Sequence, residues 1–170
     1  MIRSLSGFGC RILAHDLYEK EEVRQYASYV TLDRIWEEAD VITLHTPLTE
    51  ENFHLINADT MAQMKNGVVI INTARGALID SDAFIEAIEA GKIGAAGLDV
   101  VENEFGLYYY DHKADILKNK ELALLRSFPN VTVSHHMAFY TRNYVETVVK
   151  DSLMSCRCHM EGKENPWEIK

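Results

Sequence analysis

Apolar residues along this chain fall into short runs that alternate with amphipathic stretches. The runs have the length and composition of buried strands, which predicts five strands, at residues 11–15, 41–45, 68–72, 94–100 and 131–134. The amphipathic stretches predict helices at residues 31–38, 58–65, 82–90 and 140–160. Thr31 is the predicted N-cap of the first helix, and either Asp80 or Ser81 can cap the third.

The order of these elements indicates an α/β fold. Strands that alternate with helices are joined by crossover connections, which give a mainly parallel sheet with helices on its faces. Ligands of such sheets bind at the carboxyl ends of the strands. Polar residues follow the apolar runs at Asp16, residues 45–47, residues 72–75, Asp99 and His136. We therefore expect a ligand site formed by these residues.

Charge and composition narrow the class of ligand and the location. The 170-residue chain carries a net charge of -9, which disfavours nucleic acid as a partner because an acidic surface repels phosphates. The sequence has no long apolar run, so no membrane span is predicted. Its three cysteines, Cys10, Cys156 and Cys158, have no framework spacing, which is typical of a reducing cytoplasm. The scattered histidines predict no metal site.

Three segments carry a resemblance to a known family. They lie at residues 44–52, 64–80 and 97–104, and the last begins with Gly97-Leu98-Asp99-Val100. In this order they resemble the D-isomer-specific 2-hydroxyacid dehydrogenases. Residues 105–111 and 138–141 are similar to the D-lactate dehydrogenase branch of that family. The resemblance extends over almost the whole chain, from Gly7 to Glu161.

The resemblance implies a Rossmann-like, doubly wound parallel sheet. Residues 1–138 would form the NAD-binding domain, and residues 139–170 the C-terminal helix and tail of the substrate domain. The family carries a first strand and a Gly-x-Gly-x-x-Gly turn before the segments found here, so the NAD-binding domain is expected to be incomplete at its N-terminus. We expect a gap or open edge at the centre of the sheet. A truncated, inactive remnant and a non-catalytic binding module of the same fold remain alternatives to a working enzyme.

The resemblance also implies a reaction, hydride transfer between C4 of NAD and C2 of a small 2-hydroxy or 2-keto acid of the D-lactate/pyruvate type. It places Arg75 on the substrate carboxylate, which a guanidinium binds with two parallel hydrogen bonds. It makes His136 the acid–base group, with the adjacent His135 as the alternative. Glu104 is the implied partner of that imidazole. We expect the side chains of Arg75, Glu104 and His136 to meet at one rim of the sheet.

Further positions match cofactor contacts of the family. Asp16 ends a predicted strand, where a carboxylate binds the ribose hydroxyls and repels a 2′-phosphate, which favours NAD over NADP. Glu102 is expected to be solvated, and His54, His112 and His159 are expected to be surface histidines. The resemblance further implies a homodimer. The remaining cofactor positions are Thr46, Pro47, Asn52, Thr73, Ala74, Arg75 and Asp99.

Overall fold

The computed structural model describes residues 1–108 and 119–168. The chain divides into two compact units, Met1–His135 and His136–Lys170. The domain boundary expected between residues 138 and 139 stays a prediction. His112, predicted to be a surface histidine, lies outside the described residues. So do residues 109–111, which belong to the segment similar to the D-lactate dehydrogenase branch.

Strands and helices alternate through the first unit. Its strands are β1 (Leu13–Ala14), β2 (Ser28–Tyr29), β3 (Val41–Leu44), β4 (Val68–Asn72), β5 (Ile93–Leu98) and β6 (Val131–Val133). Its helices are α1 (Ile2–Ser6), α2 (Glu21–Arg24), α3 (Leu32–Glu38), α4 (Ala58–Gln63), α5 (Ser81–Glu89) and α6 (Lys120–Ser127). A 3₁₀ turn at Gly76–Leu78 follows β4.

Four of the strands form one parallel sheet in the order β3-β4-β5-β6. Strands β1 and β2 pair with each other, also in parallel, in a separate two-stranded sheet. The prediction of a Rossmann-like α/β fold with a parallel sheet is confirmed. The separation of the two sheets agrees with the gap expected from the sequence, since no strand among the described residues joins β1 to β3.

The core lies between the four-stranded sheet and its flanking helices. Alternate residues of β4 are buried, as the two-residue period of a strand requires. The helices contribute Trp36, Met61, Phe84, Ile88, Leu122 and Leu125 to the same cluster. Burial of this apolar surface is the main favourable contribution to folding, and it gives the loops after β3, β4 and β5 a rigid base.

Side-chain caps fix the starts of two helices that the sequence predicted. The Thr31 side chain accepts a hydrogen bond from the Arg34 N–H at 3.4 Å, which confirms it as the cap of α3. At α5 the Asp80 side chain accepts from the Ala83 N–H at 3.1 Å. Asp80 is therefore the cap, and Ser81 is the first residue of the helix.

The second unit is built around one helix, α7 (Arg142–Glu161). Thr141 caps it by accepting from the Tyr144 N–H at 3.3 Å, and it ends at Gly162, whose φ of 62° is left-handed. The helix predicted at residues 140–160 is thus confirmed with both ends slightly shifted. Among the described residues, no helix has the length and apolarity that a membrane crossing needs.

Candidate active site

The loops that follow the parallel strands begin at one edge of the main sheet. Strands β3, β4 and β5 run in the same direction, so their carboxyl ends lie side by side. Thr46 and Pro47 follow β3, residues 73–75 follow β4, and Asp99 follows β5. Asp16 follows β1 in the two-stranded sheet. The structure thus brings three loops with predicted cofactor positions to a single edge of the main sheet.

Asn72, at the end of β4, fixes the backbone that carries Arg75. Its side chain is fully buried, its Nδ2 donates to the Arg75 carbonyl oxygen at 2.8 Å, and its Oδ1 accepts from the Ala74 N–H at 3.0 Å. The Arg75 side chain is exposed, and its Nη1 donates to the Ala74 carbonyl oxygen at 2.7 Å. No carboxylate in the described parts of the chain pairs with this guanidinium, so its other N–H groups can bind a ligand carboxylate.

Gly76 brings the Arg75 loop against the loop that follows β5. A methyl group on Gly76 would lie 2.1 Å from the carbonyl carbon and oxygen of Val101 and 2.5 Å from the Glu102 nitrogen. Only a residue without a side chain allows two backbones to approach this closely. Position 76 therefore requires glycine because the two loops leave no room for a side chain there.

Glu104 lies on the turn that Gly76 contacts. Its Oε2 accepts from the Val101 N–H at 3.1 Å, and its carbonyl oxygen accepts from the Leu107 N–H at 3.0 Å. Asn103 has a φ of 56°, a left-handed conformation that asparagine adopts more readily than most residues. The loops of Arg75 and Glu104 are therefore neighbours in the structure. The prediction that these two side chains meet at one rim of the sheet requires this proximity.

Glu102 is not solvated, so that expectation is wrong. Its side chain is 17% exposed, and its Oε1 lies 2.7 Å from the His54 Nε2. The expectation of a surface histidine at position 54 is also wrong, because that side chain is 27% exposed and its Nδ1 lies 3.7 Å from the Asp80 Oδ2. Residues 54 and 102 are 48 positions apart, and no spacing rule relates them. Sequence reasoning therefore had no signal for this pair.

Asp99 is buried where β5 ends and is held by both neighbouring strands. Its N–H donates to the Asn72 carbonyl oxygen at 2.9 Å, and its Oδ1 accepts from the Ser134 hydroxyl at 2.5 Å. Ser134 also donates its N–H to the Leu98 carbonyl oxygen at 2.9 Å. A carboxylate fixed in this way can accept a hydrogen bond from a ligand amide.

The Asn52 side chain is used within the loop after β3. Its Nδ2 donates to the Pro47 carbonyl oxygen at 2.7 Å and to the Thr46 hydroxyl at 3.4 Å, and its Oδ1 accepts from the Thr49 N–H at 2.7 Å. These contacts occupy the amide nitrogen and the carbonyl oxygen alike. In this structure Asn52 acts on the shape of the loop that carries Thr46 and Pro47.

His45 follows β3 and is exposed to solvent, although neighbouring atoms desolvate part of its ring. Its Nε2 lies 2.8 Å from the Thr43 hydroxyl and 3.1 Å from the Met1 Sδ. Burial lowers the pKa of His45 below its ordinary value of 6.5, and repulsion from the amino terminus lowers it further. The neutral imidazole is therefore favoured at this place.

His135 and His136 are adjacent in sequence but fall in different units. His135 ends the first unit, where its ring contacts Tyr108 edge-on with 5.6 Å between centroids. His136 begins the second unit with a left-handed φ of 52°, and its ring contacts Phe139 edge-on at 6.3 Å. Because Arg75 and Glu104 belong to the first unit, the expected convergence of all three catalytic side chains stays a prediction.

Comparison with known proteins now identifies the family. The family model described as "D-isomer specific 2-hydroxyacid dehydrogenase, NAD binding domain" matches residues 1–138. The chain belongs to this family. This confirms the resemblance read from the three sequence segments, and it makes NAD the cofactor of the matched domain.

Curated members of the 2-hydroxyacid dehydrogenase family align with nearly the whole chain. An aromatic 2-oxoacid reductase of Clostridium sporogenes is 46% identical over 156 residues, which are 91% of this chain and 47% of that protein. The D-lactate dehydrogenase of Escherichia coli K12 is 42% identical over 170 residues, which are 99% of this chain and 52% of that protein. The chain thus spans about half the length of the curated relatives it matches.

Solved structures of family members have the same fold. A D-lactate dehydrogenase from Treponema pallidum superposes with a TM-score of 0.94 at 37% identity, covering 99% of this chain and 51% of that one. The D-lactate dehydrogenase of Lactobacillus jensenii with NAD+ gives a TM-score of 0.91 at 34% identity, with 99% and 51% coverage. Both are similar to this chain along its whole length.

The residues present fit the adenosine end of NAD. Asp16 is exposed after β1, and its Oδ1 accepts from the Tyr18 N–H at 2.9 Å. This turn orients the carboxylate, and a carboxylate after a strand is chemically suited to accept from a ribose hydroxyl. The chain contains no Gly-x-Gly-x-x-Gly segment, so these residues do not include the usual backbone cradle for a pyrophosphate.

Proposed function

We propose that this chain supplies the NAD-binding domain and three reacting side chains of an NAD-dependent D-2-hydroxyacid dehydrogenase of the D-lactate/pyruvate type. The observation that carries the proposal is the exposed Arg75 guanidinium, which lies at the carboxyl edge of the sheet without a carboxylate partner among the described residues. The loop of Glu104 lies beside it, across the Gly76 contact. Family membership supplies the class of reaction.

In this proposal Arg75 binds the carboxylate of a small 2-keto acid. Two parallel N–H···O hydrogen bonds fix the plane of the substrate and turn its C2 toward the cofactor. The Asn72 side chain holds the backbone on both sides of Ala74, so the guanidinium extends from a fixed point. Asp99 is proposed to accept from the nicotinamide amide, and Asp16 to bind the adenosine ribose.

His136 is proposed to move the proton. NAD, when bound, supplies or accepts the hydride at C4 of its nicotinamide ring. As C2 of pyruvate is reduced, the protonated His136 gives its proton to the carbonyl oxygen, and it takes that proton back when D-lactate is oxidised. Glu104 is proposed to pair with this imidazole and to favour its protonated form.

The test is pyruvate-dependent oxidation of NADH by the natural polypeptide that carries this chain. We expect His136→Gln to lower kcat by about a hundredfold to ten-thousandfold, the range that loss of an acid–base group causes. His135→Gln is the matched control, and it should retain activity within a few fold of the wild type. Arg75→Gln should raise KM strongly, because it removes the carboxylate fork.

Four outcomes contradict the proposal. Full activity in His136→Gln removes the proposed acid–base role, and a loss confined to His135→Gln assigns that role to the neighbour. A wild-type protein that binds NADH in calorimetry without oxidising it on addition of any 2-keto acid is a non-catalytic binding module. One that shows neither binding nor activity is an inactive remnant.

The proposal also covers the location and the assembly of the protein. We infer a cytoplasmic protein, because Cys10, Cys156 and Cys158 are all free thiols. We also infer a homodimer from the family. Light scattering during gel filtration tests the assembly, and a monomeric mass at micromolar concentration contradicts it.

A further inference from the structure

The side-chain contact between His54 Nε2 and Glu102 Oε1, at 2.7 Å, has no part in the proposed reaction. It lies between the loop of Arg75 and the loop of Glu104. We propose that His54 and Glu102 are positioning residues, whose contact holds the Glu104 turn in register with the Arg75 loop. The effect on catalysis rests on the proposed function. The effect on the positions of the loops is independent of the proposed function.

Glu102 is tied to its surroundings at three points. Its Oε1 lies 2.7 Å from the His54 Nε2, and its Oε2 accepts from the Ser81 N–H at 3.4 Å. Its carbonyl oxygen accepts from the Asn119 Nδ2 at 3.4 Å. With 17% of the side chain exposed, this carboxylate needs a partner more than a surface carboxylate does. Of the three contacts, the one to His54 is the shortest.

His54 connects Glu102 to the turn that follows Arg75. Its N–H donates to the Ala77 carbonyl oxygen at 2.9 Å, and its own carbonyl oxygen accepts from the Asn57 Nδ2 at 2.9 Å. These bonds hold the His54 backbone at a left-handed φ of 53°. The backbone of His54 is thus fixed to the Arg75 side of the site, while its side chain reaches the Glu104 side.

Glu102 and Glu104 lie on the same short turn, so a movement of the Glu102 backbone also moves Glu104. Only Asn103 separates the two glutamates, and Glu104 Oε2 accepts from the N–H of Val101, the residue before Glu102. The backbone of this turn also lies against Gly76, with no room for a methyl group. Release of Glu102 therefore changes the Val101–Glu104 hydrogen bond and the spacing to the Arg75 loop together.

Two substitutions of His54 separate the proposed contact from backbone effects. His54→Asn tolerates the left-handed φ and keeps a donor near Asp80, but its side chain is too short to reach Glu102. His54→Gln places an amide nitrogen near the position of the imidazole Nε2 and can rescue the contact. Lys65→Met is the matched control, because it removes an ion pair of 2.8 Å between Lys65 and Asp40 on an exposed surface.

The direct readout is the amide of Val101 in the ¹⁵N-labelled 170-residue chain. We expect its proton resonance to shift and its hydrogen exchange to accelerate several-fold in His54→Asn, and to stay near wild type in His54→Gln and Lys65→Met. Glu102→Met has a side chain of similar length without the carboxylate, so it removes the contact from the other side. It should act like His54→Asn, and it replaces that variant as the test if His54→Asn does not fold. An unchanged Val101 amide, or equal changes in His54→Asn and His54→Gln, overturns the proposal.

Kinetics distinguish a failure of this proposal from a failure of the proposed function. In the natural polypeptide we expect His54→Asn to lower kcat for pyruvate reduction by about tenfold to a hundredfold, the scale of a misplacement of about 1 Å, with recovery in His54→Gln. If His54→Asn changes the resonance and exchange of the Val101 amide but leaves kcat unchanged, the positioning of the turn is supported and the proposed catalytic role of Glu104 is wrong. If kcat falls while the Val101 amide is unchanged, the positioning proposal is overturned.

Discussion

Gly76→Ala is the substitution whose cost the structure defines most clearly. The added methyl group would lie 2.1 Å from two backbone atoms of Val101, whereas ordinary contacts begin at 3.4 Å. The two loops must therefore part by more than an ångström, and neither side of the contact is a side chain that can rotate away. We expect a cost of about 3 kcal/mol, the upper end of typical overpacking.

Thermal unfolding followed by circular dichroism measures this cost. For a chain of this length, about 3 kcal/mol corresponds to a fall in Tm of roughly 6–12 °C. Gly97→Ala is the control, because its methyl group would meet only the Ile71 Cδ1, at 2.9 Å, which can move. A fall in the Tm of Gly76→Ala of less than about 2 °C corresponds to a cost below about 1 kcal/mol in a chain of this length. That result refutes the argument that these two loops are in backbone contact.

Three further predictions concern single side chains around the site. Asn72→Ala leaves the Ala74 N–H and the Arg75 carbonyl oxygen without their buried partner, and denaturant unfolding should show a loss of about 2–4 kcal/mol. The pKa of His45 is lowered in the folded protein, so as the pH falls the unfolded chain binds the proton first. The free energy of unfolding should therefore decrease as the pH drops below 6.5, and it should decrease less in His45→Gln. Denaturant unfolding at pH 5 and pH 8 measures this difference. Asp16→Ser should weaken NADH binding and reduce the discrimination against NADPH in calorimetric titrations, whereas an unchanged preference contradicts the role of Asp16.

Long apolar elements were predictable because their periodicity is repeated several times. The run at residues 68–72 coincides with β4, and the helix capped by Thr31 begins where the sequence predicted. Strand β2 has two residues and helix α2 has four, too few to show a period, and neither was predicted. Helix α6 was also missed, although Asn119 caps it by accepting from the Leu122 N–H at 2.7 Å.

The edge of the sheet on which a candidate residue lies was predictable where that residue closely follows a strand. Asp99 comes directly after β5 and Arg75 is the third residue after β4, so the direction of each strand determines the edge that they occupy. Their roles are implied by the family resemblance. The contact of Gly76 with Val101 and the side-chain contact of His54 with Glu102 depend on how separate loops pack. That packing has no counterpart in local spacing, so the sequence did not indicate it.

The central claim is that Arg75, Glu104 and His136 act on one substrate. A crystal structure of the natural polypeptide with NADH and oxamate, a non-reacting analogue of pyruvate, tests it most directly through the distances around the bound analogue. We predict that the Arg75 guanidinium donates two hydrogen bonds to the oxamate carboxylate, and that His136 lies within hydrogen-bond distance of both the C2 oxygen and Glu104. Oxamate bound without Arg75, or with His136 turned away from it, contradicts the account.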